Sequence, residues 1–167
     1  MADGSRILLK RSTPTLWNVA FHDKYMWDGR AASLEEQAVL PLFSEIEMGN
    51  NEKQLVSDLT ANAIYSKWFK AVFAEQPSVK NVATALAAFQ SSLISLNSRY
   101  DRYVHGDVKA LSEQEIKGYN AFRGFVGRCS QCHVPPLFTD GELAVVGSPK
   151  KAGLPYDIGA GELNPKP

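Results

Sequence analysis

The sequence predicts an all-α fold with long loops, and three observations predict it. Apolar side chains recur at three- and four-residue spacing in several windows between residues 33 and 125. Two of those windows open on a serine followed three residues later by a glutamate, Ser33 with Glu36 and Ser112 with Glu115, the pattern of an N-terminal capping box. Alternating apolar and polar positions are scarce, and one short strand, Leu143–Val146, is the most the chain offers. No internal repeat is present.

The elements follow in order. Residues 6–32 hold the turn formers Thr13-Pro14, Asn18 and Asp28-Gly29 together with Trp17, Phe21, Tyr25 and Trp27, an aromatic-rich loop of the kind that wraps something. A first helix starts under the Ser33 cap and is expected to end at Pro41, because proline lacks the N–H a helix interior needs. A second starts near Asn50 or Asn51 with Leu55, Val56 and Leu59 on one face. Ile64, Trp68 and Val72 give a third, stopped by Pro77. The longest helix is expected from Ser78 to Tyr103, with Val82, Leu86, Phe89, Leu93 and Leu96 as its core stripe. A last helix begins at Ser112 and runs through Ile116, Tyr119, Ala121, Phe122 and Phe125 to a C-cap at Gly127. Beyond His133 the chain is rich in proline and glycine and reads as loop to Pro167.

Composition narrows the function classes. With 167 residues there is room for one domain, or two small ones, with a real core. Eighteen Lys and Arg balance eighteen Asp and Glu, so no basic footprint argues for nucleic acid. No apolar run approaches the ~18 residues of a membrane helix. The longest near the start, Ile7-Leu8-Leu9, is too short for the apolar core of a signal peptide, and Met1–Ser5 reads as a vector-derived start.

The chemistry concentrates in residues 127–140. Cys129, Cys132 and His133 form C-x-x-C-H, the spacing at which two thiols attach a c-type haem and the adjacent imidazole ligates its iron. These are the only two cysteines. A structural zinc site needs four ligands, and only His22 and His105 remain as distant additions. A redox dithiol belongs in a βαβ setting that this sequence does not show. Ordinary buried cysteines beside a histidine are the third alternative. Haem c, with His133 as its metal ligand, is the reading carried forward. Because haem c is attached after export, it implies a periplasmic protein and a chain that is a mature form or a piece of a longer one.

A wider set of motifs then resembles one family. Thr13-Pro14-Thr15-Leu16-Trp17-Asn18-Val19, Trp27-Asp28-Gly29-Arg30, Leu34-Glu35-Glu36-Gln37-Ala38, Pro41, Glu47-Met48-Gly49, the C-x-x-C-H and Leu137-Phe138-Thr139-Asp140-Gly141 are similar, in order and spacing, to the bacterial di-haem cytochrome c peroxidases and the related MauG enzymes. The resemblance implies cytochrome c-like helices in parts of two halves. Residues 1–105 would belong to the first, peroxidatic half without its haem motif, and residues 106–167 would open the second, electron-transfer half, truncated. It makes Cys129, Cys132 and His133 the attachment site of the electron-entry haem. Glu47 becomes the distal acid/base for O–O cleavage, Gln37 and Pro41 its pocket companions, and Trp27 an electron route between haems. A carboxylate in an apolar pocket suits that role, since burial raises its pKa and lets it shuttle a proton. Arg30 is a candidate partner for a haem propionate or for a local carboxylate.

The same resemblance marks departures. The first C-x-x-C-H and its upstream histidine would precede residue 1, and a second T-P-T-L-type segment with the sixth ligand of the second haem would follow Pro167. Ser12 stands where the family's calcium site has an asparagine, which puts calcium in doubt. His22, His105, Met26 and Met48 are the internal alternatives for an axial ligand, and they read as loop and packing residues. The implied function is reduction of hydrogen peroxide with electrons from a small cytochrome c or copper protein. The alternatives are MauG-like oxidation of protein residues, a mono-haem electron-transfer subunit with a complementary chain or as a homodimer, or an inactive helical fragment without haem.

Overall fold

The computed structural model describes residues 9–147 and 149–163. The expectations for Met1–Ser5, for Ile7 and Leu8 and for the end at Pro167 lie outside the described residues. Among the described residues there are six α-helices: α1 Leu34–Phe43, α2 Glu52–Ala61, α3 Ala63–Phe73, α4 Val79–Ser91, α5 Arg99–Val104 and α6 Glu113–Arg123. Short 3₁₀ turns lie at Val19–Phe21, Cys129–Gln131 and Gly159–Glu162. Among the described residues the only β-pairing is an isolated antiparallel bridge between Tyr25 and Ala31. Leu143–Val146 is therefore not a strand. It finds no partner backbone, and Val145 and Val146 lie in solvent.

The helix starts follow their caps. Ser33 Oγ accepts from Glu36 N at 3.1 Å, but the Glu36 carboxylate reaches past it to Ala32 N at 2.8 Å. Asn51 Oδ1 accepts from Gln54 N, and Ser78 Oγ accepts from Asn81 N. At Ser112 the capping box is complete. Asn62 is at once the last cap of α2 and the first of α3, its Oδ1 accepting from Ile64 N and Tyr65 N.

Helix ends depart further from expectation. Pro41 lies inside α1 rather than ending it, since its fixed φ suits a helix and its missing N–H costs one bond. α3 stops at Ala74, in the left-handed region at φ 59°, before Pro77 is reached. The expected helix from Ser78 to Tyr103 is two helices. Ser92 Oγ donates to Phe89 O at 2.7 Å, and the backbone beyond is taken by Asn18, which donates from its N to Leu93 O and pairs through its side chain with Ser95 N and O. A new capping box at Ser98 and Asp101 then starts α5.

The core lies where α1 and α4 pack against each other and against the loop before them. Val19, Tyr25, Ala31, Leu34 and Ala87 form it, with Met26 and Leu40 packed alongside. On α4 the buried positions are Asn81, Val82, Ala83, Ala87 and Gln90, while Phe89 is 61% and Leu96 48% exposed, so the expected stripe is only partly the core face. On α3 Phe69 faces inward, and Ile64, Trp68 and Val72 face out. Met48 is exposed rather than packed.

Candidate functional site

Two clusters carry the chemistry. The first is built by α6 and the turn after it. α6 ends at Arg123 with Gly124 as cap, four residues short of Gly127. Gly127 serves another purpose: a Cβ there would sit 2.6 Å from Ala121 O, so only glycine lets the chain double back against the helix end. Arg128, at φ 52°, then opens the Cys129–Gln131 turn, and His133 N donates to Cys129 O at 3.0 Å. Both thiols and the imidazole thus hang from one turn, the cysteines free and exposed.

The imidazole is oriented from behind. His133 Nδ1 lies 3.0 Å from Phe138 O. A carbonyl only accepts, so Nδ1 carries the proton and Nε2 keeps its lone pair for a metal. Phe138 is held in turn by an aromatic cluster, 5.0 Å from Tyr100 and 5.8 Å from Phe122 between ring centroids, and Phe122 lies 6.5 Å from the His133 ring. Tyr100 meets Tyr119 hydroxyl to hydroxyl at 3.4 Å, and burial together with that hydrogen bond pushes its phenol up to about 12. Phe125 and Val126 stand 81% and 98% exposed beside the cysteines. Free thiols, a metal-ready nitrogen and uncovered apolar side chains in one turn and the residues leading into it fit a covalently held, flat apolar macrocycle.

The second cluster lies at the C-terminal end of α1. The loop after the helix folds back and satisfies its last carbonyls, Met48 N donating to Pro41 O and Asn50 N to Leu42 O, while Glu47 N donates to Ser44 O at 3.0 Å. That hairpin places Glu47 over an open cavity of about 380 Å³ lined by Arg30, Val39, Leu40, Phe43, Ser44 and Glu47. Three of the walls are apolar, and Glu47 itself stands at the solvent edge rather than deep in the pocket. Gln37 and Trp27 do not line it. Gln37 is half-buried on α1 with its Oε1 buried and unpartnered among the described residues. Trp27 is 60% exposed, its indole N–H donating to Ser12 O at 2.7 Å.

Sequence reasoning missed the charges between these clusters. Asp28 is 3% exposed and takes both Arg30 and Arg11. Burial pushes its carboxyl up, but the hydrogen bonds from the two guanidiniums outweigh that and hold it below its ordinary value. Arg11 also forks onto Asp157, with Nε and Nη2 each 2.7 Å from a carboxylate oxygen. That bond holds the Asp157 carboxyl far below its usual range and raises the Arg11 guanidinium. Lys24 with Glu142 and Lys151 with Lys10 O add to the same seam. Leu143 lies over Gly29, where a Cβ would meet its Cδ1 at 3.0 Å and where φ is +72°. The segment after C-x-x-C-H therefore straps down the W-D-G-R loop. A signal was present in Asp28, an aspartate between a tryptophan and a glycine two residues before an arginine, but its partner Arg11 takes its other carboxylate from 146 residues away.

Among the described residues no group of three or more His, Cys, Asp or Glu side chains converges as a metal cluster. No helix among them is long and apolar enough to cross a membrane.

Comparison with known proteins gives concordant matches. The family model described as di-haem cytochrome c peroxidase matches residues 2–109. The methylamine utilization protein MauG of Methylophilus methylotrophus is 38% identical over 157 residues, 93% of this chain and 45% of that protein. The cytochrome c peroxidase Ccp of Escherichia coli is 32% identical over 91% of this chain and 31% of its own length. A solved MauG-like protein associated with microbial copper homeostasis superposes with a TM-score of 0.70 at 30% identity, over 80% of this chain and 41% of that one. The chain thus spans less than half the length of each of these relatives.

Proposed function

Because this chain belongs to the di-haem cytochrome c peroxidase family, we propose that it forms part of a periplasmic oxidoreductase that reduces hydrogen peroxide with electrons from a small cytochrome c or copper protein. Residues 106–167 open the electron-transfer half, where Cys129 and Cys132 would hold haem c and His133 would ligate its iron. Residues 1–105 contribute the peroxide side. When bound, haem supplies the one-electron iron couple that the reaction draws on.

The chain's own residues supply positioning and proton transfer. The contact of His133 Nδ1 with Phe138 O orients the ring and leaves Nε2 to the metal. Reducing HOOH to two waters consumes two electrons and two protons, and heterolysis needs a proton moved from one oxygen to the other. Glu47 accepts the proton from the first oxygen and delivers it to the departing one, which leaves as water. Val39, Leu40 and Phe43 keep that exchange against an apolar wall. Trp27, anchored by its N–H to Ser12 O, has the indole of an electron relay. Gln37 stands on the same helix as the cavity wall, its amide oxygen without a partner among the described residues.

The observation that carries this reading is Glu47 on the rim of a cavity with apolar walls. In the complete haem-loaded protein, Glu47→Gln is expected to lower peroxide turnover by roughly 10²-fold or more, the scale of a lost general acid/base. An unchanged rate removes Glu47 from the role. A second reading, oxidation of a protein tryptophan or tyrosine at a distance, is favoured by the 38% identity to a MauG protein. Peroxide consumption that depends on a protein substrate, and not on a small electron donor, distinguishes it.

A further inference from the structure

We propose that Asp28 is a positioning residue for the Glu47 cavity: it fixes the guanidinium of Arg30, a residue of the cavity lining, and is itself fixed through Arg11 by Asp157 of the segment that follows the haem-attachment turn. The proposal rests on the role assigned above to Glu47, and its test separates the two.

The geometry is that of a shared acceptor. Arg30 Nη1 donates to Asp28 Oδ1 at 3.1 Å and Oδ2 at 2.9 Å, and Arg30 N donates to Oδ1 at 3.3 Å. Arg11 Nη1 donates to the same Oδ2. Two guanidiniums therefore share one oxygen, and where one lies constrains where the other can lie. Arg11 has no freedom of its own, because its Nε and Nη2 are forked onto Asp157 in the planar two-bond geometry that best fixes an arginine. The Asp28 side chain is 4% exposed and that of Arg11 15%, so the Asp28 end of the row is shielded from solvent. Arg11 Nη2 also lies 3.2 Å from Glu162 Oε2, and Lys10 pairs with both Asp157 and Glu162, so charge closes with Arg30, Arg11 and Lys10 against Asp28, Asp157 and Glu162.

Arg30 is the member with something left to offer. Its side chain is 40% exposed, and among the described residues its Nε and Nη2 have no hydrogen-bond partner. It lines the cavity with Glu47 against three apolar walls. A fixed cation there favours the negative charge that develops on peroxide as Glu47 takes its proton, and it does so only while it is held in place. The hold runs to residue 157, beyond the haem-attachment turn. Placement of the peroxide-side cation thus depends on the docking of the electron-transfer segment.

The test is a cycle in the complete haem-loaded protein: Asp157→Asn, Arg30→Ala and the two combined, with kcat and KM for hydrogen peroxide read separately from thermal stability. Asp157→Asn is expected to lower kcat about tenfold, within the ~10²-fold that a 1 Å misplacement can cost, and to have no further effect on kcat once Arg30 is alanine, although stability still falls. Equal loss of kcat in both backgrounds, or lowered stability with kcat unchanged, overturns the proposal. Should Glu47→Gln prove silent, guanidinium ¹⁵N resonances decide independently of turnover. An Arg30 signal that broadens or shifts in Asp157→Asn supports the positioning row, and one that stays sharp and unmoved overturns it.

Discussion

At the scale of single residues, backbone and charge set the strictest requirements. Gly29 satisfies two demands at once, a left-handed φ of +72° and the approach of Leu143. Gly29→Ala is expected to cost about 1–2 kcal/mol. Shortening Leu143 to alanine in the same protein should return only the steric part, which a thermal-melt comparison of the two variants checks. Asp28 adds a pH dependence. Its carboxyl is depressed in the fold and ordinary, near ~4, in the unfolded chain. Its stabilisation is therefore complete above pH ~4 and fades as pH falls through the lower folded value. Melts from pH 6 to 2 should show a fall that is smaller in Asp28→Asn, and parallel curves would show that Asp28 does not titrate as described. Such features were only half legible. The acid, the glycine and the arginine of W-D-G-R were visible as a motif, but nothing local to Asp28 announces that Arg11 and Asp157 close the row.

At the scale of elements, starts were easier to read than ends. Ser33, Asn51, Ser78 and Ser112 each sit where a side-chain acceptor meets free N–H groups, and each caps as the sequence indicates. Ends depend on what competes for the backbone. The break at Ser92–Ser98 exists because Asn18, 77 residues away, takes the carbonyls and amide of that stretch, a contact invisible to periodicity. α6 shows what a cap does for the site. Ser112 N–H, the Arg99 fork and Ser112 Oγ hold Glu115 down at about 2, and the helix they start leads into the cysteine turn. Ser112→Ala is expected to destabilise by about 1 kcal/mol and to raise the Glu115 pKa only part of the way, because the backbone N–H at 112 and the Arg99 fork remain. A carboxyl NMR titration of Glu115 reads this directly, and an unmoved midpoint would show that the Ser112 hydroxyl contributes nothing to the depression.

At the scale of the whole molecule the distinctive property is unspent apolar surface. Among the described residues no large side chain is fully buried, while Trp17, Trp27, Trp68 and Phe89 are each more than half exposed. A groove of about 410 Å³ between α3 and α4 is lined by Trp68, Phe69, Val72 and Ala85 among others. Helical spacing marks Trp68, Val72 and Phe89 as core, and the structure exposes all three, because a stripe shows only that a side chain suits burial and not that a neighbouring element covers it. Around the cysteines the exposed Phe125 and Val126 await the same kind of cover. Haem loading is therefore expected to raise the melting temperature and lower binding of an apolar dye. An intact mass raised by one haem, with sharp c-type bands in the reduced spectrum, checks occupancy. A bare polypeptide mass with no such bands would leave Cys129, Cys132 and His133 unassigned.

The seam between the two segments has a graded sensitivity to salt. Its outer members, Lys10, Asp157 and Glu162, keep 31–40% of their side-chain surface in water, while Asp28 keeps 4%. Mobile ions screen charges they can approach, over a Debye length of about 8 Å at physiological ionic strength and about 3 Å at 1 M. As electrolyte is added, the grip on residues 157–162 should therefore loosen first, while the interior pair of Asp28 and Arg11 stays closed. The seam would come undone from its rim inward, like a zip with its fixed end at Asp28.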